Sequence, residues 1–271
     1  MFENAKVYRP VVHLAQMPSN SYRSFETATE ELATSWSTSV STRDAWQDLG
    51  AFGGSESKPF RVQSGQFIGL AKPGERKGDG IARAAHEKIV SDLAYVLHLP
   101  VPPVILWDRG ETPHERFVSI SAWAFSPALS WDQAAARLTE QHKATSSEVV
   151  SAMLAFEAWI SAQDRKSDHL LTNVRSDGGL QLAFIDYAYS LSYSWPGENA
   201  EVGAPGQYVP VARNESAIRS MTESILQVNS EIVNTIVGRV PTSYLPLDKA
   251  RIIISNLITR KARLGAILGL N

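Results

Sequence analysis

The sequence predicts an α+β fold in two lobes, a small β-rich N-lobe over residues 1–125 and a mostly helical C-lobe over 126–271. Three observations predict it. Short apolar runs bounded by glycine, proline and serine fill residues 60–123, the pattern of strands joined by tight turns. Apolar residues at helical spacing dominate from residue 131 onward. Between Phe156 and Leu191 a helix, a charged loop and a hairpin follow one another without a break.

Composition bounds the possibilities. A chain of 271 residues can bury a sizeable core, as one large domain or as two lobes. Its 44% hydrophobic and 20% charged content is ordinary for a globular protein. A net charge of -2 argues against a broad nucleic-acid footprint, so no direct nucleic-acid partner is expected. The absence of cysteine excludes disulfides, zinc–thiolate sites, iron–sulfur clusters and a cysteine nucleophile. No apolar run approaches the ~18 residues of a membrane span, and the N-terminus lacks a signal-peptide pattern. The expectation is a cytoplasmic protein with no membrane partner.

Taken in order, Val11 to Leu14 read as an edge strand or arm. Leu32, Trp36, Trp46 and Leu49 suggest helical packing within a Ser/Thr/Glu-rich stretch. Gly50 to Pro59 is turn-rich, and Phe60–Gln63 and Gln66–Lys72 read as two strands joined around Ser64-Gly65. A helix follows from about Ile81 to Leu97, with Ile89, Leu93, Val96 and Leu97 on its apolar face. Pro100, Pro102 and Pro103 end it, and strands follow at Val104–Trp107 and Arg116–Trp123. Helices are expected over Trp131–Leu138, Ser147–Ala162, Ile218–Val237 and Leu247–Leu268, with Tyr193–Arg213 irregular. No Gly/Ser linker separates the lobes, so they should pack together and move, if at all, as a hinge. There is no internal repeat.

The chemistry concentrates between Phe156 and Leu191. The helix runs into Asp164-Arg165-Lys166-Ser167-Asp168-His169; Ser176-Asp177-Gly178-Gly179 then turns the chain, and the strand Leu180–Ile185 delivers Asp186. Phosphoryl transfer needs such an inventory: a carboxylate to orient the attacking hydroxyl, with an amide and a second carboxylate to hold Mg²⁺ on nucleotide phosphates. Two registers are open. In one, Asp168 and Asn173 form D-x-x-x-x-N, the kinase catalytic-loop spacing. In the other, Asp164 opens the loop and His169 stands where kinases place Asn. Either aspartate could equally cap or charge-balance the loop. Asp186 is harder to explain structurally, because a carboxylate at the end of an apolar strand is costly unless paired or metal-bound.

In the small lobe, Lys72 ends a strand and Glu87 lies on the next helix, the order in which kinases pair a strand lysine with a helix glutamate. Taken singly, each also reads as an ordinary exposed charge. Gly53 to Lys58 could cover phosphates or be a plain surface turn; it is no P-loop, since G-x-x-x-x-G-K-[ST] is absent. There is no G-x-S-x-G and no H-E-x-x-H, and the remaining histidines are scattered.

At these residues the chain resembles the HipA-like kinases, the toxin-kinase branch of the protein-kinase-like fold. Phe156 to Arg165 looks like that family's helix leading into its catalytic loop, and Phe184-Ile185-Asp186 like its metal-binding segment. Gly53-Gly54-Ser55-Glu56-Ser57-Lys58 is similar to its phosphate loop, and His86-Glu87 through Pro102 to the helix that presents the paired glutamate. Val240-Pro241 and Leu257 to Leu264 are similar to the closing helices of small single-chain members. The resemblance implies a bilobal serine/threonine kinase using ATP and Mg²⁺. Lys72 would bind ATP phosphates with Ser55, Ser57 and Lys58 in the covering loop, and Glu87 would orient Lys72. Asp164 would be the catalytic aspartate, with Asp168 as the alternative, and Asp186 would hold metal together with His169 or Asn173. Ser55 and Ser57 are similar to loop serines that some members autophosphorylate, where a phosphate would repel those of ATP. The resemblance further implies a protein substrate, with a translation-related protein among the candidates, and an antitoxin partner. Lys166 and His169 depart from the family's His and Asn, which leaves a pseudokinase or binding module open, beside a small-molecule or lipid kinase on the same fold.

Overall fold

The computed structural model describes residues 21–42, 45–53, 58–74, 80–110, 116–191, 206 and 208–270. The Val11–Leu14 run, Gly54–Ser57 and most of Tyr193–Arg213 lie outside the described residues.

The N-terminal region is a six-stranded sheet in the order β1-β5-β6-β4-β3-β2: β1 (Ser41–Thr42), β2 (Gln47–Ala51), β3 (Phe60–Ser64), β4 (Phe67–Pro73), β5 (Val104–Asp108) and β6 (Phe117–Ala122). Only β1, against β5, pairs in parallel; the other neighbours are antiparallel. Gly69 permits the close approach of β4 to β6, since a Cβ there would lie 2.6 Å from Ile120 Cγ2 and 3.1 Å from the Ser121 carbonyl oxygen. One face of the sheet is apolar through Val62, Ala71, Ile105, Val118 and Ile120. Against it pack Leu32 and Trp36 of α1 (Thr27–Thr38).

Helix α2 (Gly80–Val96) crosses between the sheet and the helical part. Ile89, Val90, Leu93 and Ala94 are buried in the large core shared with the C-terminal helices, each large aliphatic contributing about 1.5–3 kcal/mol. The other side of α2 carries charge. Fully buried Lys88 donates to Asp92 Oδ1 at 2.8 Å and to the Trp36 carbonyl at 2.5 Å. Arg239 Nη2 closes the network at 2.6 Å from Asp92 Oδ2 and 2.6 Å from the Ser37 carbonyl. Burial pushes the Lys88 ammonium down to about 8.

The helical part begins at β7 (Leu129–Ser130) and α3 (Trp131–Ala134), where Ser130 and Gln133 form a capping box. Helix α4 (Glu140–Trp159) starts two turns before the expected Ser147, because a second capping box, Thr139 with His142, nucleates it there. Strands β8 (Leu170–Val174) and β9 (Leu180–Phe184) form the hairpin anticipated around Gly178-Gly179, with β7 on its edge. The single helix expected over Ile218–Val237 is two: α5 (Glu215–Gln227) ends at Val228, and Asn229 caps α6 (Ser230–Gly238) through Ile232 N–H. The long α7 (Leu247–Leu268) ends on Gly269 in a left-handed conformation, φ 66°.

One expectation for the N-terminal region fails as well. Trp46 and Leu49 are not helical; Leu49 lies in β2, and Trp46 meets Trp36 edge-on at 6.0 Å between ring centres. Helix α1 also holds the connection after β6, where Thr29 Oγ1 donates to the Trp123 carbonyl at 2.6 Å and Ser126 N–H to Glu26 Oε1 at 2.8 Å.

Candidate active site

Lys72 sits near the end of β4, on the central part of the sheet, and Glu87 lies in the middle of α2 above it. Their contact is an ion pair of 2.9 Å, Lys72 Nζ to Glu87 Oε1. The same ammonium lies 3.1 Å from Asp186 Oδ1. Burial pushes the Lys72 ammonium down, but the two carboxylates more than offset it and hold the group above its ordinary value. Burial pushes the Asp186 carboxyl up, and Lys72, His169 and Arg165 together hold it below the usual carboxylate range. Both groups are therefore charged at neutral pH.

Asp186 lies just past β9 with φ 65°, a left-handed conformation that turns the backbone sharply out of the strand. Such a conformation in a non-glycine residue persists only where the surroundings impose it. Here Arg165 imposes it: its Nη1 donates to the Ile185 carbonyl at 2.8 Å and to the Asp186 carbonyl at 2.9 Å.

The loop between α4 and β8 supplies the remaining candidates. Asp164 has φ 53°, is half-exposed, and accepts from Lys166 Nζ at 3.0 Å. Asp168 is exposed within a short 3₁₀ turn over Ser167–His169, whose Ser167 hydroxyl donates to Asp132 of α3 at 2.5 Å. His169 is nearly buried, its Nε2 3.6 Å from Asp186 Oδ2 and 3.7 Å from Asp168 Oδ1. Its Nδ1 faces Arg165 Nη1 at 3.4 Å. A guanidinium has only hydrogens to offer, so a proton on Nδ1 would face another donor; the surroundings favour the tautomer with its proton on Nε2, toward the two carboxylates. Burial, then Arg165, pushes the His169 imidazole down, so the ring is neutral near pH 7.

Lys72, Glu87, Asp186 and His169 are thus brought together, with Asp168 beside His169. Asn173 is not. It lies in β8 opposite Gln181, and its Nδ2 donates to Gln181 Oε1 at 2.8 Å. Four residues of strand, roughly 13 Å, separate it from His169. The register in which Asn173 works beside Asp186 is therefore not the one the chain adopts. Ser55 and Ser57 lie outside the described residues, whereas Lys58 closes that loop with φ 43°, next to Pro59, whose carbonyl accepts from Phe52 N–H at 2.8 Å.

One part of the site leaves little trace in the sequence. Glu157 of α4 is fully buried and lies 2.9 Å from Arg165 Nε. Its Oε1 also accepts the hydroxyls of Tyr187 at 3.0 Å and Tyr208 at 2.8 Å. The Arg165 guanidinium lies over both rings, 4.3 Å from the Tyr187 centre and 5.3 Å from that of Tyr208. Burial, followed for Tyr208 by Glu157, pushes both phenols well above their ordinary range. A glutamate following Phe156 in an apolar stretch was the available signal.

No family sequence model matches this chain, and no curated protein sequence matches it. Among solved structures it is similar to the crystal structure of a Helicobacter pylori proinflammatory kinase, CtkA, with a TM-score of 0.63. The identity is 9%, over 84% of this chain and 96% of that one. The fold is kinase-like. A sheet-bearing N-terminal region and a helical C-terminal part, expected from the sequence, are what the kinase-like chain has. Among the described residues no helix is long and apolar enough to cross a membrane.

The donor set can be tested against a nucleotide-bound cation. Among the described residues, no three His, Asp or Glu groups converge to hold a metal by themselves. Mg²⁺ does not require such a cage, since it is commonly held by one or two carboxylates together with substrate phosphates. The half-exposed Asp186 carboxylate, beside the Lys72 ammonium, suits that arrangement. His169, with its proton on the side facing Asp186, offers a hydrogen rather than a lone pair and does not suit direct ligation.

Proposed function

We propose that this chain is an ATP- and Mg²⁺-dependent kinase of the HipA-like type, transferring the γ-phosphate to a serine or threonine hydroxyl of a protein. The observation that carries the reading is the bridging of Glu87 and Asp186 by Lys72, within a kinase-like fold. Mg²⁺–ATP supplies the phosphoryl group and the charge neutralisation that lets it leave. The chain's residues do the positioning. Lys72 holds phosphate oxygens, and Glu87 keeps its ammonium in place. Asp186 holds the cation. Asp164, half-exposed at the loop that precedes β8, accepts the proton of the attacking hydroxyl; Asp168 is the alternative base. The loop from Gly53 to Lys58, with Ser55 and Ser57, covers the phosphates and is where self-phosphorylation would act. A cytoplasmic toxin–antitoxin setting and a translation-related substrate belong to the same proposal and rest on the family resemblance.

A second reading has its own observation. With a proton-bearing His169 in the asparagine position and Asn173 engaged by Gln181, one of two kinase metal positions lacks its ligand. A non-catalytic nucleotide-binding module would share every other feature.

Intact-mass measurement after incubation with Mg²⁺–ATP separates the two, using wild type and Asp186→Asn. Added phosphate in wild type alone supports the kinase. No added phosphate, together with ATP binding by calorimetry, supports the module until a substrate is supplied. Absence of binding in wild type rejects both.

A further inference from the structure

We propose that Glu157 is a positioning residue that serves as a built-in counter-ion for Arg165, so that the site is assembled without phosphorylation of the segment following Asp186. This rests on the kinase reading above. Many kinases order that segment by adding a phosphate, which pairs with an arginine. Here Arg165, next to Asp164, already has a carboxylate beside it. Arg165 and Glu157 are buried at 2% and 0% side-chain exposure and lie 2.9 Å apart.

The connections run outward from this pair to the backbone at Asp186 and to the tyrosines that follow it. Arg165 follows Asp164 directly and fixes the Ile185 and Asp186 carbonyls. Glu157 holds the hydroxyl of Tyr187, the first residue after Asp186, and that of Tyr208, well beyond it. Both flanks of the segment are thus tied to one carboxylate oxygen on a rigid helix. A buried guanidinium without a counter-ion is strongly unfavourable, whereas an apolar pair of similar volume would serve stability as well or better. Stability alone therefore does not account for a charged pair here. Its hydrogen bonds to the backbone at Asp186 do. The 2.9 Å approach of Arg165 Nε to Glu157 Oε1 is an ion pair without hydrogen-bond alignment, and Glu157 Oε2, Arg165 Nε and Arg165 Nη2 have no hydrogen-bond partner among the described residues. A buried water between polar groups of this kind is common.

The test uses the full chain, with mass spectrometry confirming that it carries no phosphate. Four proteins are compared: wild type, Glu157→Gln, Glu157→Asp, and Glu157→Gln/Arg165→Gln, in which no buried charge is stranded. Three quantities are read: calorimetric affinity for Mg²⁺–ATP, single-turnover cleavage of ATP, and amide hydrogen exchange of the peptide spanning Ile185 to Tyr189.

Unphosphorylated wild type is expected to bind and cleave ATP. Glu157→Gln should exchange at least 10-fold faster in that peptide and cleave at least 10-fold more slowly, with affinity within about twofold because Lys72 and Glu87 are untouched. Glu157→Asp should recover part of the rate, and the double variant should fold without recovering it. Unchanged exchange in both Gln-containing variants overturns the proposal, as does wild type that cleaves ATP only after phosphorylation. Should wild type bind ATP without cleaving it, the exchange measurement alone decides. Should it fail to bind ATP, the kinase reading itself falls, and this inference with it.

Discussion

Lys72 and Asp186 are 114 residues apart in sequence and 3.1 Å apart in space. The contact joins the edge of the helical part to the middle of the N-terminal sheet, and it holds a cation and an anion at the place where phosphate and metal would enter. The two charges balance each other there, so each should be affected when the other is removed.

Replacing Lys72 by methionine tests this on two axes. It should weaken Mg²⁺–ATP binding at least 10-fold by calorimetry, through loss of a direct phosphate contact. It also leaves Glu87 buried without its partner, and breaking a pair of this kind costs about 3 kcal/mol. Urea unfolding should show that loss. Full stability with intact binding would remove Lys72 from the site.

Asp164 and Asp168 can be told apart by single substitution. Asp164→Ala should lower turnover by ~10²-fold or more, the usual cost of losing a general base. Asp168→Ala should cost no more than a few-fold, because its carboxylate is exposed and its nearest described contact is His169 at 3.7 Å. The reverse ranking, in single-turnover rates at saturating ATP, would assign the base to Asp168.

His169→Asn should strengthen metal binding. The imidazole offers a hydrogen toward Asp186, whereas an asparagine carboxamide can present an oxygen to a hard cation. Manganese titration followed by electron paramagnetic resonance, at fixed ATP, should show a gain in affinity or a second bound ion. A loss of affinity would show that the imidazole is itself a ligand.

Lys88, the residue after Glu87 on α2, gives a pH signature through a separate ion-pair network. Its ordinary value is 10.5, and burial lowers it to about 8 in the folded protein. Between these two values the unfolded chain binds the extra proton, so stability should rise with pH. The full effect is about 3 kcal/mol, most of it gained by pH 10. Lys72 and the buried tyrosines, whose values are raised, act with the opposite sign and only above pH 10. Urea midpoints from pH 7.5 to 10 should therefore climb in wild type and stay flat in Lys88→Met, where Asp92 keeps Arg239 as its partner. A flat wild-type profile would refute the assignment.

Much of this was legible in the sequence, and what was not has identifiable causes. Lys72, Glu87 and Asp186 were readable because strand, helix and hairpin each leave a local pattern, and their order is that of a kinase-like fold. The D-x-x-x-x-N spacing misled because it takes no account of β8: once Leu170 enters a strand, Asn173 is carried away from the loop and paired with Gln181. Trp36 and Trp46 both read as helical packing, although Trp36 lies in α1 and Trp46 in the connection just before β2, since ring-to-ring packing leaves no periodic trace. The break at Val228 was marked by Asn229 and Ser230, a cap signal masked by apolar residues on both sides. Glu157 could not be assigned at all. Its partners, Arg165, Tyr187 and Tyr208, come from three separate stretches of chain.

The Lys88–Asp92–Arg239 network also bears on how the chain acquires its structure. Arg239 lies 147 residues beyond Asp92 and Asp186 114 residues beyond Lys72, so one ion pair of α2 and one of β4 wait for segments made much later. Contacts between such distant residues form slowly, because a long loop must close before any of them is gained. During synthesis, Lys72 and Glu87 emerge well before Asp186, and Arg239 later still. A nascent chain halted before Arg239 therefore carries Lys72 and Glu87 already paired, while Asp92 on the other side of α2 still lacks its distant partner.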